Sequence, residues 1–327
     1  MDRTMDGSMD GTMDGQATGR LVMYGAGNIG RGFIGQLFSN AGYDVVFVDV
    51  DEGIVDALNR ERRYPVRTVS RDGECSTWVG PVRAVNGRDT EAVAAVIAEA
   101  DYLATAVGAA ILPRIAPVVA AGLMRRWASG NDAPLDLLLC ENLMDVDRYM
   151  DGLLREALPA SLHAQYGTKV GLVETSIGRM VPVMTPEQRA EHPLLVCVEP
   201  FDRLPVDAAA FRGPMPRIPS LEPVSPFRCQ LETKLYLHNM GHCLTAYLGA
   251  LRGCTHIHEA IATPEIRLFV QSAMLDAAMA LARRHQTGLD ALLLHAEDLI
   301  DRFGNPALGD TVLRVGRDPI RKLAPDD

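Results

Sequence analysis

The feature that most limits the fold is a glycine triplet, Gly25-Ala26-Gly27-Asn28-Ile29-Gly30, set between an apolar run at 21–24 and a helical period at 29–40. A lone G-x-G-x-x-G carries little weight. At a strand-to-helix turn that opens a β-α-β unit, each glycine has a task. The first permits the tight turn, the second lets the backbone approach a pyrophosphate, and the third lets helix and strand pack closely. The helix start adds free N–H groups and a partial positive charge. Strand and helix signals then alternate: apolar at 45–49, helical at 52–60 and 92–99, apolar at 102–107, helical at 111–127, apolar at 135–140. This alternation predicts an α/β fold, a Rossmann-type and mostly parallel sheet with crossover helices. Apolar runs at 170–174 and 194–198 read as further strands.

Asp49 ends the second apolar run, 19 residues after Gly30. A carboxylate there can accept hydrogen bonds from the adenosine ribose and repel a 2′-phosphate, which favours NAD over NADP. Asp51, two residues on, reads as solvated.

At 327 residues the chain suggests two domains. Residues 1–20 hold a degenerate acidic four-residue repeat (Met1-Asp-Arg-Thr, Met5-Asp-Gly-Ser, Met9-Asp-Gly-Thr, Met13-Asp-Gly-Gln) and are expected to be a disordered tail. The dinucleotide-binding domain is expected over 21–206 and a mainly α-helical domain over 207–327. Between them Pro205, Pro214, Pro216, Pro219, Pro223 and Pro226 predict a connector with little regular structure. Thr263-Pro264-Glu265 has the start signals of a helix running to about His285; Gly288 marks its end, and a second helix follows at 289–303.

A net charge of −10 argues against a nucleic-acid or anionic-membrane partner, which would favour a basic face. No apolar run reaches the length of a membrane span, and no secretory signal opens the chain. Six cysteines without a C-x-x-C pair fit reduced thiols in a cytoplasm. Cys254-Thr255-His256-Ile257-His258 superficially resembles a metal cluster, but nothing nearby completes it, and no metal is expected. Neither a G-x-S-x-G elbow nor a Walker A loop is present.

Only three lysines occur, Lys169, Lys234 and Lys322, leaving 29 of the 32 basic residues as arginine. A lysine retained against that background can do what arginine cannot, namely give up its proton when its surroundings lower its pKa. Lys234 is followed by Asn239 and His242, at offsets of five and eight. Two readings stand for this stretch: an amphipathic helix with one solvated lysine, or an amine, an amide and an imidazole converging on one substrate. Cys140-Glu141-Asn142 closes an apolar strand, so Asn142 either makes a turn or faces the ligand crevice. Arg314, Arg317, Arg321 and Lys322 either hold a phosphate group or form a solvated basic face.

These motifs together resemble the mannitol-1-phosphate 5-dehydrogenases, within the zinc-independent, polyol-specific long-chain dehydrogenases. The likeness lies in Tyr24-Gly25-Ala26-Gly27-Asn28-Ile29-Gly30-Arg31-Gly32-Phe33-Ile34-Gly35, Asp49, Thr105-Ala106-Val107-Gly108, Cys140-Glu141-Asn142, Arg179-Met180-Val181-Pro182 and Lys234-x4-Asn239-x2-His242. It continues through Thr245-Ala246-Tyr247-Leu248-Gly249, Arg302-Phe303-x-Asn305-Pro306 and Arg317-x-Pro319-x-Arg321-Lys322-Leu323. The resemblance implies NAD-dependent interconversion of mannitol 1-phosphate and fructose 6-phosphate. It implies Lys234 as general acid/base, Asn142 and Asn239 as donors to a developing alkoxide, and His242 orienting the lysine or a neighbouring hydroxyl. Val107 joins the cofactor set, and Arg317, Arg321 and Lys322 take the substrate phosphate. An unphosphorylated polyol or a hexuronate is the alternative substrate, and a NAD-binding protein without turnover is the alternative outside enzymes. Members of that family continue for several helices past the Arg-Lys-Leu motif, so either a C-terminal truncation or a diverged short form is expected.

Overall fold

The computed structural model describes residues 18–182 and 184–322. Residues 1–17, which hold the acidic repeat, and residues 323–327 lie outside the described part, as does the side chain of Arg321.

The strands are β1 (Arg20–Tyr24), β2 (Asp44–Asp49), β3 (Tyr64–Ser70), β4 (Gly73–Val79), β5 (Val82–Asn86), β6 (Tyr102–Thr105), β7 (Leu135–Leu139), β8 (Val170–Glu174), β9 (Val196–Val198), β10 (Leu204–Asp207) and β11 (Leu221–Val224). Six of them form a parallel sheet in the order β5-β2-β1-β6-β7-β8. The chain leaves β1 for β2 and β5 on one side, then returns to β6 and works outward through β7 and β8 on the other. The order reverses between β1 and β6, so a ligand crevice opens at their carboxyl ends. Helices cover both faces of the sheet, and its strands are accordingly apolar throughout: Val45, Val46, Phe47 and Val48 of β2 are fully buried. Asp136 in β7, a buried charged residue, accepts from the backbone N–H groups of Arg212 (2.7 Å) and Gly213 (3.0 Å), tying that later segment to the sheet.

A six-residue π-helical turn, Gly30–Gly35, starts the first helix and runs into α1 (Gln36–Asn40). The crossovers and surface helices are α2 (Glu52–Glu61), α3 (Thr90–Ala98), α4 (Leu112–Ala128), α5 (Val146–Ala157), α6 (His163–Lys169) and α7 (Pro186–Glu191). β3, β4 and β9 form a separate sheet in which β4 pairs antiparallel and β9 parallel to β3. The sequence shows no apolar run over β4 because its first six residues are exposed. In the proline-rich passage, expected to lack regular structure, β10 and β11 pair in parallel and place Pro205 opposite Glu222. Proline is tolerated here because the pair is a two-stranded ribbon whose outer side carries only an isolated bridge, Thr175 to Val206, so a missing N–H need not break a ladder.

From Arg228 the chain is helical. α8 (Arg228–Thr233), a π-helical segment (Lys234–Asn239) and α9 (Met240–Leu251) follow without a break. Then come α10 (Ile257–Ala262), α11 (Pro264–His285), α12 (Leu289–Phe303), α13 (Val312–Val315) and α14 (Pro319–Lys322). Val270, Met274 and Ala278 repeat at four-residue spacing on α11 and pack a core with Leu237, Ile257, Leu299 and Phe303. α11 begins at Pro264 as its signals predict; it ends on Gln286 in a left-handed conformation (φ 52°), two residues before Gly288.

Candidate active site

The glycine loop folds as its spacing requires. Gly25 has φ +104°, and a side chain there would place its first carbon 2.6 Å from the Ala106 carbonyl oxygen. At Gly30 a side chain would collide with the Gly25 carbonyl. Gly27 faces open space, with nothing within 4 Å of where a side chain would start. Asn28 is exposed and Ile29 half-buried. Arg31, buried, fixes the loop by donating from Nε to the Ala26 carbonyl (2.6 Å) and from Nη1 to the Leu194 carbonyl.

Asp49 lies beside the loop. Its Oδ2 accepts from the Ala26 N–H (2.7 Å) and its Oδ1 from the Asp51 N–H (3.0 Å). Each oxygen keeps a lone pair for a ribose hydroxyl. Asp51, expected to be merely solvated, caps α2 by accepting from the Ile54 N–H (3.2 Å). Across the switch point, Val107 and Gly108 donate their N–H groups to Glu141 Oε1 (3.0 Å) and Oε2 (2.8 Å). Sequence reading passed over Glu141; its place at the end of an apolar strand, next to the motif's asparagine, was the available signal. An open approach at Gly27, a half-buried carboxylate at Asp49 and two close-packed glycines fit a dinucleotide.

Lys234 projects toward the carboxyl end of β7, and its Nζ donates to Asn142 Oδ1 at 3.2 Å. It lines a cleft with Ser176, Phe201, Gln230, His238, His295 and Arg302. Burial lowers its amine from 10.5 to about 8, with the nearby Cys140 acting weakly the other way. Cys140 itself is buried, which pushes its thiol up to about 12 and leaves it unreactive. The π segment sets the neighbours. Its backbone bonds run from i to i+5, so Asn239 lies one turn beyond Lys234 rather than well round the helix.

His242 is placed elsewhere. Its ring stacks on Phe303 (centroids 4.8 Å apart, 7° between planes), and its Nε2 is 3.4 Å from Asp310 Oδ2. It faces a second, smaller pocket with Met180, Asn305 and Asp310. Burial, reinforced by the charges of Arg314, Lys322 and Arg302, lowers its imidazole to about 3, so it is neutral. His238, four residues after Lys234, takes the place in the Lys234 cleft; helical spacing from the lysine was the signal for it. Of the expected phosphate ligands, Arg317 is exposed, Lys322 donates from Nζ to the Val315 carbonyl (2.6 Å), and the Arg321 side chain lies outside the described part.

A chain of polar contacts joins the two halves. Arg179, buried, donates to the Gly32 carbonyl (3.0 Å), to Gln36 Oε1 (2.7 Å) and to the Glu199 carbonyl (2.9 Å). The Glu199 carboxylate accepts from Arg302 Nη2 (2.5 Å) and Nε (2.9 Å), and Arg302 lies over the Phe201 ring at 4.2 Å. Among the described residues no group of three or more His, Cys, Asp or Glu side chains is arranged to hold a metal ion, and no helix is long and apolar enough to cross a membrane.

A parallel-sheet dinucleotide domain joined to a helical domain that presents a lysine to the same crevice defines a nicotinamide-dependent dehydrogenase. The chain belongs to the mannitol dehydrogenase family: the model of the mannitol dehydrogenase Rossmann domain matches residues 19–220, and that of the mannitol dehydrogenase C-terminal domain matches residues 224–326. It is an NAD-dependent oxidoreductase of the polyol dehydrogenase type. Among solved structures, the fold is similar to a Pseudomonas fluorescens mannitol 2-dehydrogenase in ternary complex with NAD and D-mannitol (TM-score 0.76, 18% identity, 91% of this chain and 71% of that one). It is also similar to a D-sorbitol dehydrogenase in substrate-free form (TM-score 0.81, 18% identity, 94% of this chain and 74% of that one).

Proposed function

We propose that the chain interconverts mannitol 1-phosphate and fructose 6-phosphate with NAD, Lys234 being the general acid/base. The observation that carries this reading is the Lys234 amine, lowered to about 8 in a cleft at the crevice and held at 3.2 Å by Asn142. A group titrating near the working pH suits proton transfer in both directions. In oxidation neutral Lys234 takes the hydroxyl proton of the substrate; in reduction it returns it. NAD, when bound, supplies the hydride acceptor. Because Asn142 accepts the lysine bond through Oδ1, its amide N–H groups remain to donate to a developing alkoxide, and Asn239 adds a second amide one turn on. Gly25, Ala26, Gly27, Asn28, Ile29 and Gly30 hold the pyrophosphate, Asp49 the ribose, and Val107 the wall opposite. His242 braces the lysine-bearing helix against Phe303 and Asp310. Arg317, Arg321 and Lys322 are assigned to the phosphate ester. Support for an anionic group at this end is the run of cations Arg314, Arg317, Arg321 and Lys322 within nine residues.

A second reading, a free polyol, draws on the cleft itself, where the Arg302 cation is already paired with Glu199. The experiment that separates the two is NADH formation from mannitol 1-phosphate beside free mannitol, arabinitol and sorbitol 6-phosphate. Equal rates with mannitol and its 1-phosphate contradict the phosphate assignment. NAD binding without NADH from any of them overturns the dehydrogenase reading and leaves a binding protein.

A further inference from the structure

The Lys234 cleft holds more polar capacity than proton transfer uses. His238 and His295 both line it, and among the described residues neither imidazole has a hydrogen-bond partner. His238 is 8% exposed. Its ring is fixed between Phe303 and His242, with centroids 5.9 and 6.1 Å away. Burial, aided by His242, Arg302 and Lys234, keeps it well below its ordinary pKa, and burial lowers His295 likewise. Each ring is therefore neutral and offers one N–H donor and one lone pair. A hydroxyl group, which both donates and accepts, is the complement of that pair. Arg302 does not compete, because Glu199 and the Gly178 carbonyl already engage its guanidinium.

We propose that His238 and His295 read the hydroxyl groups on the carbons next to the reacting carbon, and so set which polyols and ketoses the cleft accepts. The inference rests on the dehydrogenase reading above and extends it from proton transfer to recognition of the substrate chain. Loss of one such hydroxyl leaves a cleft-facing donor and acceptor unpaired against the bound substrate, a larger penalty than the attraction lost.

The test uses the full chain with NADH, comparing fructose 6-phosphate with its 1-deoxy and 3-deoxy analogues, by turnover and, separately, by calorimetric binding. The unmodified protein is expected to prefer the parent ketose over at least one deoxy analogue by roughly tenfold to a hundredfold in kcat/KM. His238→Leu or His295→Leu should erase that preference by weakening the parent alone, while His238→Gln, which keeps a donor and an acceptor, should retain part of it. NADH affinity should stay unchanged in each variant. Equal turnover of parent and deoxy ketoses by the unmodified protein overturns the hydroxyl reading and spares the dehydrogenase assignment. Leucine variants that slow parent and analogue alike also overturn it, because that pattern reports packing. Failure of every ketose to bind overturns both readings together.

Discussion

Asn142→Asp tests the lysine assignment more sharply than removal of the lysine does. The substitution keeps shape but sets a carboxylate where Asn142 Oδ1 now lies, 3.2 Å from Lys234 Nζ. An opposite charge that close favours the ammonium form and should raise the lysine by about one to two pKa units. Oxidation needs the neutral amine. With the amine at about 8, about a quarter of it is neutral at pH 7.5. One unit upward cuts oxidation at that pH about eightfold, and two units about eightyfold. The loss is recoverable: kcat/KM for polyol oxidation should climb again between about pH 9 and 10. The plateau should also sit lower, because a carboxylate cannot donate to the alkoxide. The position of the ascending limb, not its height, is therefore the measured quantity. Asn142→Leu is the control. It lowers the plateau without adding charge, so its limb should not move upward. A pH–rate profile for Asn142→Asp whose limb stays at the unmodified position would mean that the titrating group is not Lys234.

Three further outcomes are expected. Lys234→Arg keeps the charge but cannot give up a proton near neutral pH, so turnover should fall by roughly a hundredfold or more with NAD affinity intact; near-normal activity would refute the acid/base role. Asp49→Ala should raise the apparent KM for NAD and narrow the preference over NADP, measured as the ratio of kcat/KM with the two cofactors; an unchanged ratio would remove Asp49 from the ribose site. Glu232 is buried on the helix that leads to Lys234 and accepts from Arg228 Nε and His285 Nε2, each at 2.8 Å, and from Arg284 Nη2 at 3.3 Å. Burial alone would raise its carboxyl, but these cations outweigh it and hold the group below 4.5. Its stabilisation is therefore full above pH 4.5 and fades as pH falls through the lower folded value. Glu232→Gln should cost about 1–3 kcal/mol in urea unfolding at pH 7, with the gap closing toward pH 4, because Arg228 and Arg284 are exposed enough to hydrate once unpaired.

What was legible in the sequence follows from how local each signal is. The glycine loop, β1, β2, β6 and β7 announce themselves because a buried parallel strand must be apolar along its whole length. The β3–β4 hairpin left no such trace: one of its strands is exposed, and its pairing was not visible in the periodicity. Lys234, Asn142 and Asn239 were nameable as residue types and by resemblance, but the meeting of Lys234 with Asn142 depends on features no pattern reports. The 3.2 Å contact joins residues 92 positions apart. Over Lys234–Asn239 the backbone widens to i→i+5 bonding, which sets Asn239 about one turn beyond the lysine. On a plain α-helix an offset of five points well away, while an offset of four stays on the same face. An offset of four stays near the lysine's side with the wider winding too, so His238, which was given no role from sequence, lines the lysine's cleft, while His242 lies against Phe303.

The same π geometry occurs at Gly30–Gly35, so the helix that follows the glycine loop and the helix that carries the lysine both depart from α-winding where the chemistry is placed. Wider winding costs dispersion contacts and needs support from outside the helix. Around Gly30–Gly35 the support is visible: Arg179 donates to the Gly32 carbonyl within the turn and reaches Gln36 beyond it. Arg179 is in turn fixed to the Glu199 backbone, whose carboxylate holds Arg302 on α12, at the wall of the lysine cleft. One polar chain therefore couples the shape of the cofactor loop's helix to the wall of the substrate cleft. Hydride transfer requires those two surfaces to be held in register to a fraction of an ångström. Glu199, buried in the sheet domain and held at its backbone by buried Arg179, grips Arg302 of the helical domain through directional, charge-assisted bonds that fix register as well as proximity.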